Sequence, residues 1–212
     1  EFQQRTRADA VVAAPRGHSV LTGDFRVVGR KIAADSVDLI FTDAPYDGKS
    51  VGLFGDLGRL AARVLRPGGL CVAYSGQAHL PAVLDALGAS LQYVWTCAVR
   101  FSGGDHPVGW LRLTNGWKPI LIFAKPPLKA WWTPFADLLT GGSEKKLHHW
   151  QQAESEAARL VERLCPAGGL VVDPMCGTGT TLVAAKRLNR RYLGIEIDKG
   201  VAAVARQRLA AS

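Results

Sequence analysis

The sequence predicts an α/β fold, with a mainly parallel sheet covered by helices on both faces. Two observations carry this expectation. Continuous apolar runs of four to ten residues alternate with stretches of helical period along most of the 212 residues, and such runs fit strands buried on both faces. Glycine-rich turns also follow several of these runs directly, as strand-to-helix crossovers require.

Val37–Thr42 (VDLIFT) reads as the first buried strand. A helix follows over Asp56–Leu65, with Leu57, Leu60, Ala61 and Val64 on one face, and Pro67-Gly68-Gly69 stops it. Leu70–Tyr74 is a strand, Leu80–Leu87 a helix closed by Gly88, and Leu91–Arg100 and Pro119–Ala124 are further strands. Ser102–Trp117 and Lys125–Lys146 show no clean period and read as loops or small insertions. Lys146–Cys165 is expected to be a long helix, Leu170–Val172 a strand, Thr180–Leu188 a helix, Arg191–Ile197 a strand and Lys199–Ala211 a helix. The division is an arm or linker over 1–17 and one domain over 18–212.

Composition narrows the function classes. Hydrophobic residues make up 48% and charged residues 21%, which excludes a disordered tail, a collagen-like fibre and a coiled coil. No apolar run reaches the length of a membrane span, so no membrane partner is expected. The net charge of +8 favours a polyanionic partner. Much of it lies late, in Lys186, Arg187, Arg190, Arg191, Lys199, Arg206 and Arg208, which fits a solvated helix surface as well as a nucleic-acid contact. The four cysteines form no CxxC pair, so a cytoplasmic, reducing setting fits and zinc-ribbon or redox readings fall away. His148-His149 has no Cys or acid at ligand spacing, so no metal is expected.

Two segments carry chemistry. Asp173-Pro174-Met175-Cys176-Gly177-Thr178-Gly179-Thr180-Thr181 runs from an apolar strand into a helix. Its glycines admit a ligand close to the backbone, and the new helix presents free N–H groups. A P-loop would need a Lys after Gly179, and a dinucleotide fingerprint would need Gly where Leu182 stands. A nucleoside cofactor without that phosphate cradle is left. Glu196, 17 residues after Gly179, ends the next strand, where a carboxylate can accept both ribose hydroxyls. The second segment, Asp43-Ala44-Pro45-Tyr46, directly follows the strand Val37–Thr42. Asp43 and the Ala44 carbonyl can accept hydrogen bonds from an exocyclic amine, and Tyr46 offers a flat face to an unstacked base.

Taken together, these motifs resemble the permuted β-class of DNA amino-methyltransferases, which act on adenine N6 or cytosine N4. The family tetrad, Asp/Asn/Ser-Pro-Pro-aromatic, is similar to Asp43–Tyr46, and its cofactor loop, DPFCGSGTT, is similar to Asp173–Thr181. Ala44, Met175 and Gln152-Ala153, where many members have Lys-Pro, depart from the pattern. The resemblance covers about Val20 to the C-terminus. It implies a Rossmann-like methyltransferase fold with a seven-stranded sheet and circularly permuted motif order. Gly23-Asp24 would follow the third strand, Asp43 the fourth, Asp173 the first and Glu196 the second.

The resemblance also implies S-adenosyl-L-methionine as cofactor and DNA as partner. The cofactor residues would be Asp24, Phe25, His149, Gln151, Asp173, Met175, Cys176, Gly177, Thr178, Gly179, Thr180, Thr181, Glu196 and Asp198. Asp43, Ala44, Pro45 and Tyr46 would carry the transfer to a flipped-out base, with adenine N6 favoured. The alternatives are cytosine N4 or RNA methylation, or a nucleic-acid-binding module without catalysis. Lys49, His106, Trp110, Arg112 and Lys129 are the candidate DNA contacts. So small a reader implies a short site, a further recognition domain or a second subunit. No Pro-Cys pair stands at the tetrad for cytosine C5 chemistry, and Cys97 reads as core.

Overall fold

The computed structural model describes residues 19–45, 47–101, 104–141 and 154–212. The expected arm, Tyr46, His149, Gln151 and the start of the helix expected from Lys146 lie outside them.

The chain forms β1 (Ser19–Thr22), α1 (Phe25–Val28), β2 (Val37–Thr42), α2 (Val51–Val64), β3 (Leu65–Tyr74), α3 (Leu80–Gly88) and β4 (Gln92–Arg100). There follow β5 (His106–Val108), β6 (Leu113–Asn115), β7 (Trp117–Ala124), β8 (Leu138–Thr140) and α4 (Glu154–Leu164). Then come β9 (Leu170–Asp173), α5 (Thr180–Arg187), β10 (Arg191–Glu196) and α6 (Lys199–Ala211).

Eight strands make one sheet in the order β1-β10-β9-β2-β3-β7-β4-β8. β7 runs antiparallel between β3 and β4, and the other pairings are parallel. Alternation along β2 shows why helices cover both faces. Leu39 and Phe41 join the core cluster that holds Ala157, Leu160 and Val161 of α4 and Leu182 of α5. Ile40, between them, joins the cluster that holds Phe54, Leu57 and Val64 of α2. Successive side chains of a strand point to opposite faces, so a continuous apolar run feeds both cores.

The amino ends of three strands are tied by one carboxylate. Asp38 Oδ2 accepts the Leu170 N–H at 2.7 Å, and Arg66 at the start of β3 bonds Asp38 Oδ1. The carboxyl ends of β1, β10, β9 and β2 therefore lie side by side. Chain order reverses about β9, and ligands of such sheets gather at that switch point.

The structure corrects the expectation in four places. α2 begins at Val51, ahead of the start expected at Asp56. The Asp47 carboxylate accepts the Ser50 N–H at 2.8 Å and starts the turn. Phe54, fully buried, extends the apolar face through Leu57, Ala61 and Val64. That burial outweighs the cost of about 1 kcal/mol for each helical glycine. The expected loop over 102–117 contains an antiparallel hairpin, β5 and β6, pairing His106 with Asn115 and Val108 with Leu113. Within 125–146, Leu138–Thr140 pairs with β4 and adds an eighth strand to the seven expected. β3 starts at Leu65, with a register shift that absorbs Pro67-Gly68-Gly69.

Candidate active site

The glycine elbow joins β9 to α5. Gly177 (φ 51°) and Gly179 (φ 84°) both hold left-handed backbone, which a side chain rarely adopts. A Cβ at Gly177 would meet no atom within 4 Å, so this backbone borders open space. Behind the loop, the Gly179 N–H donates to the Cys176 carbonyl at 2.8 Å and the Cys176 N–H to the Ile195 carbonyl at 2.9 Å. Gly194 of β10 lets the loop and α5 close on the sheet. A Cβ there would lie 2.4 Å from Leu182 Cδ1 and 2.9 Å from Cys176 Sγ.

Glu196 faces this elbow from the end of β10. Its Oε2 accepts the Gly177 N–H at 2.9 Å and its Oε1 accepts the Asp198 N–H at 2.9 Å. The carboxylate is thereby held in one orientation, with lone pairs left over for a diol. Asp198 caps α6 through the Val201 N–H at 2.8 Å. Ile197, between the two acids, is 68% exposed. An apolar side chain left open beside a strand-end acid is suited to pack a flat ring, and no motif signal marks it.

At the neighbouring edge, the Gly23 N–H donates to the Glu196 carbonyl at 2.8 Å. Asp24 caps α1 by accepting the Arg26 N–H at 2.8 Å, and the Arg26 guanidinium clasps the same carboxylate. That bond holds the Asp24 carboxyl below its ordinary value. Phe25 turns inward and is buried against the α2 side of the sheet.

Asp173 is buried at the end of β9. Burial pushes its carboxyl up to about 7, the nearby Asp43 charge adds to the rise, and the Thr42 hydroxyl, the Met175 N–H and the Thr181 hydroxyl oppose it. Thr42 ends the neighbouring β2, whose Ile40 pairs with Val172, and Asp43 follows it directly. The tetrad and the elbow are thus adjacent despite about 130 residues of separation in sequence. Because the folded value of Asp173 lies above that of the unfolded chain, the native state holds this proton longer. The stabilising contribution is complete below about pH 4 and is lost as the pH rises through about 7. Denaturant unfolding of Asp173→Asn should therefore gain on the wild type between these limits. A difference that stays constant with pH would contradict the assignment.

Ala44 is buried and Pro45 exposed beside it. The floor next to Asp43 is Tyr74, stacked on Phe41 at 5.6 Å between centroids. Its hydroxyl donates to Glu156 of α4, and the Lys118 ammonium sits 3.9 Å from the ring centroid. Burial first, and then the Glu156 carboxylate, raise the Tyr74 phenol well above its usual range. Tyr74, Lys118 and Glu156 carry no motif signal; the pairing of β3 with β7 brings Lys118 to Tyr74, and α4 brings Glu156. Cys97 is buried, and burial pushes its thiol up to about 11, against a nucleophilic role.

Of the candidate DNA contacts, Lys49 lies on the exposed turn after the tetrad, and His106, Trp110 and Arg112 lie on the β5–β6 hairpin. Lys129 does not join them. It lines a groove of about 540 Å³ with Arg66, Pro67, Trp131 and Pro166, at the amino ends of the strands. Many of the late basic residues are also occupied internally. Arg208 bonds the Thr178 carbonyl at 2.8 Å and props the elbow, Arg206 bonds the Val20 carbonyl, and Lys186 bonds the Leu209 carbonyl.

An eight-stranded α/β sheet with one antiparallel inner strand, an elbow after β9 and an acidic tetrad after β2 defines a Rossmann-like methyltransferase fold with permuted motif order. Residues 123–207 match the model of the N6/N4 methyltransferase family, described as DNA methylase. The matched stretch takes in the elbow and Glu196, and in it the chain is similar to this family. It is 38% identical over 81 residues to the type II methyltransferase M2.DpnII of Streptococcus pneumoniae. That match spans 35% of this chain and 30% of the relative. The M1.HpyAVI–SAM complex superposes with a TM-score of 0.75 at 21% identity, covering 90% of this chain and 98% of that one. PvuII DNA methyltransferase, described as cytosine-N4-specific, superposes with a TM-score of 0.77 at 16% identity, covering 92% and 87%. At these identities the superpositions establish the fold.

Proposed function

We propose that the protein transfers a methyl group from S-adenosyl-L-methionine to the exocyclic amine of a flipped-out DNA base, with adenine N6 favoured. The observation that carries this reading is the adjacency of Asp43 and the glycine elbow at the ends of two paired strands.

The residues present fit the cofactor. The open backbone at Gly177, the carboxylate of Glu196 and the bare Ile197 suit an elbow-bound nucleoside. Among these residues no lysine stands ready for a phosphate. Glu196 would hold the ribose hydroxyls, Ile197 and Met175 would flank the adenine, and Asp198 and Asp24 would border it. Cys176, Thr178, Thr180 and Thr181 shape the loop. His149 and Gln151 would meet the methionine end. When bound, the cofactor supplies an electrophilic methyl group on a sulfonium.

The chain supplies the positioning. The lone pair of a base amine is delocalised into its ring, so the amine is a weak nucleophile. Hydrogen bonds from its two protons to the Asp43 carboxylate and the Ala44 carbonyl would turn the lone pair out of conjugation and toward the donor. Pro45 would stiffen that carbonyl, and Tyr46 would stack on the base. Exclusion of water by the bound base and cofactor would then make the preorganised carboxylate effective. Aspartate at the head of the tetrad favours adenine, because cytosine enzymes of the resembling family more often carry Ser there.

Incubation with methyl-labelled cofactor and duplex DNA, followed by mass spectrometry of the nucleosides, tests the proposal. N6-methyladenine is expected. N4-methylcytosine would reverse the choice of base, and DNA binding without transfer would overturn the catalytic reading.

A further inference from the structure

The β5–β6 hairpin leaves the sheet at the end where the tetrad stands. It is entered from Arg100, the last residue of β4, and returns at Trp117, its partner at the start of β7. Its base is fastened: the Phe101 N–H donates to the Gly116 carbonyl at 2.9 Å. Gln77, from the loop after β3, donates to Asn115 Oδ1 at 2.8 Å and to the Trp117 carbonyl at 2.9 Å. Two residues further on, His79 packs against the tetrad turn, where a Cβ at Gly48 would lie 3.1 Å from its Nε2. Tetrad turn, Gln77 loop and hairpin therefore form one connected rim.

The tip of this rim is apolar. Trp110 is 81% exposed, and Leu111 and Leu113 flank it in the open. Arg112, in left-handed backbone, adds a cation beside them. At about 3.3 Å per strand residue, the tip stands roughly 10 Å beyond the base of the hairpin, enough for the ~8 Å depth of a DNA groove. A base that leaves the stack to reach Asp43 leaves a gap of its own thickness in the duplex. A flat apolar side chain on a stiff support can fill such a gap and stack on the exposed neighbours.

We infer that Trp110 is the wedge that enters the duplex as the target base is flipped out, holding the extrahelical state while the amine is positioned. This rests on the methyltransferase reading. The location of the hairpin on the tetrad's rim, and the cation at its tip, favour a nucleic-acid occupant over a protein partner.

The test uses the whole chain. The methylated sequence is first read from genomic DNA treated with the wild type. Transfer by wild type, Trp110→Ala and Trp110→Phe is then compared on a paired duplex and on one with a mismatch opposite the target base. Trp110→Ala should lower kcat/KM on the paired duplex by about tenfold or more, close to 1.4 kcal/mol. The mismatch should restore most of that loss, because its target base leaves the stack cheaply. Trp110→Phe should lose less. Transfer within twofold of wild type on the paired duplex, or a loss that the mismatch relieves by less than threefold, would overturn the wedge, the latter favouring a plain docking contact. Failure of the wild type to methylate either DNA would instead overturn the methyltransferase reading.

Discussion

Asp43→Ala should abolish methyl transfer while the cofactor still binds. The alanine removes the charged acceptor for the amine proton and leaves the elbow, Glu196 and Ile197 in place. Loss of one preorganised electrostatic partner in a dry site commonly costs about a hundred- to a thousandfold in rate, and here no second carboxylate reaches the amine from the tetrad. Counting transferred labelled methyl groups, with calorimetry of S-adenosylhomocysteine binding, separates the two effects. A second readout belongs to the structure. The Asp43 charge helps to raise the Asp173 carboxyl, so the alanine variant should show Asp173 titrating lower than in the wild type. Retained turnover in the variant would remove Asp43 from the mechanism.

Glu196→Ala should weaken cofactor binding by about a hundredfold, or about 2.7 kcal/mol. Two effects add. The ribose loses a charged double acceptor, for which hydrogen bonds are worth about 1.5–3 kcal/mol each. The Gly177 and Asp198 N–H groups also lose their shared partner, so the elbow and the start of α6 are no longer held together. Glu196→Gln tests the division: it keeps the size but turns an amide donor toward one of these N–H groups. Equilibrium binding of S-adenosylhomocysteine, with thermal unfolding to monitor the fold, gives the answer. An unchanged Kd in both variants would move the nucleoside away from β10.

Much of the fold was legible because buried parallel strands write continuous apolar runs. Val37–Thr42, Leu70–Tyr74 and Arg191–Ile197 stood out for this reason, and the observed strands differ from them mainly at their ends. The adjacency of the two motifs was legible because both follow such runs, and parallel strands put all their carboxyl ends on one side. Short elements escaped. β5, β6 and β8 have three residues each, too few to show a period. The start of α2 was hidden because Gly52 and Gly55 resemble a loop until Phe54 is seen against the sheet. The internal bonds of the basic cluster escaped in the same way. Composition counts Arg206 and Arg208 as surface charge, whereas tertiary contacts turn them onto the Val20 and Thr178 carbonyls. Lys129 looked like part of the DNA reader because sequence position does not reveal at which end of a strand a loop emerges.

A crystal structure of the full chain with S-adenosylhomocysteine and a duplex carrying the target base measures the proposed geometry directly. The proposal places the ribose on Glu196, the sulfur toward the target amine, and that amine against Asp43 and the Ala44 carbonyl. A homocysteine sulfur pointing away from Asp43, or a nucleotide phosphate seated on Gly177 and Gly179, would contradict it.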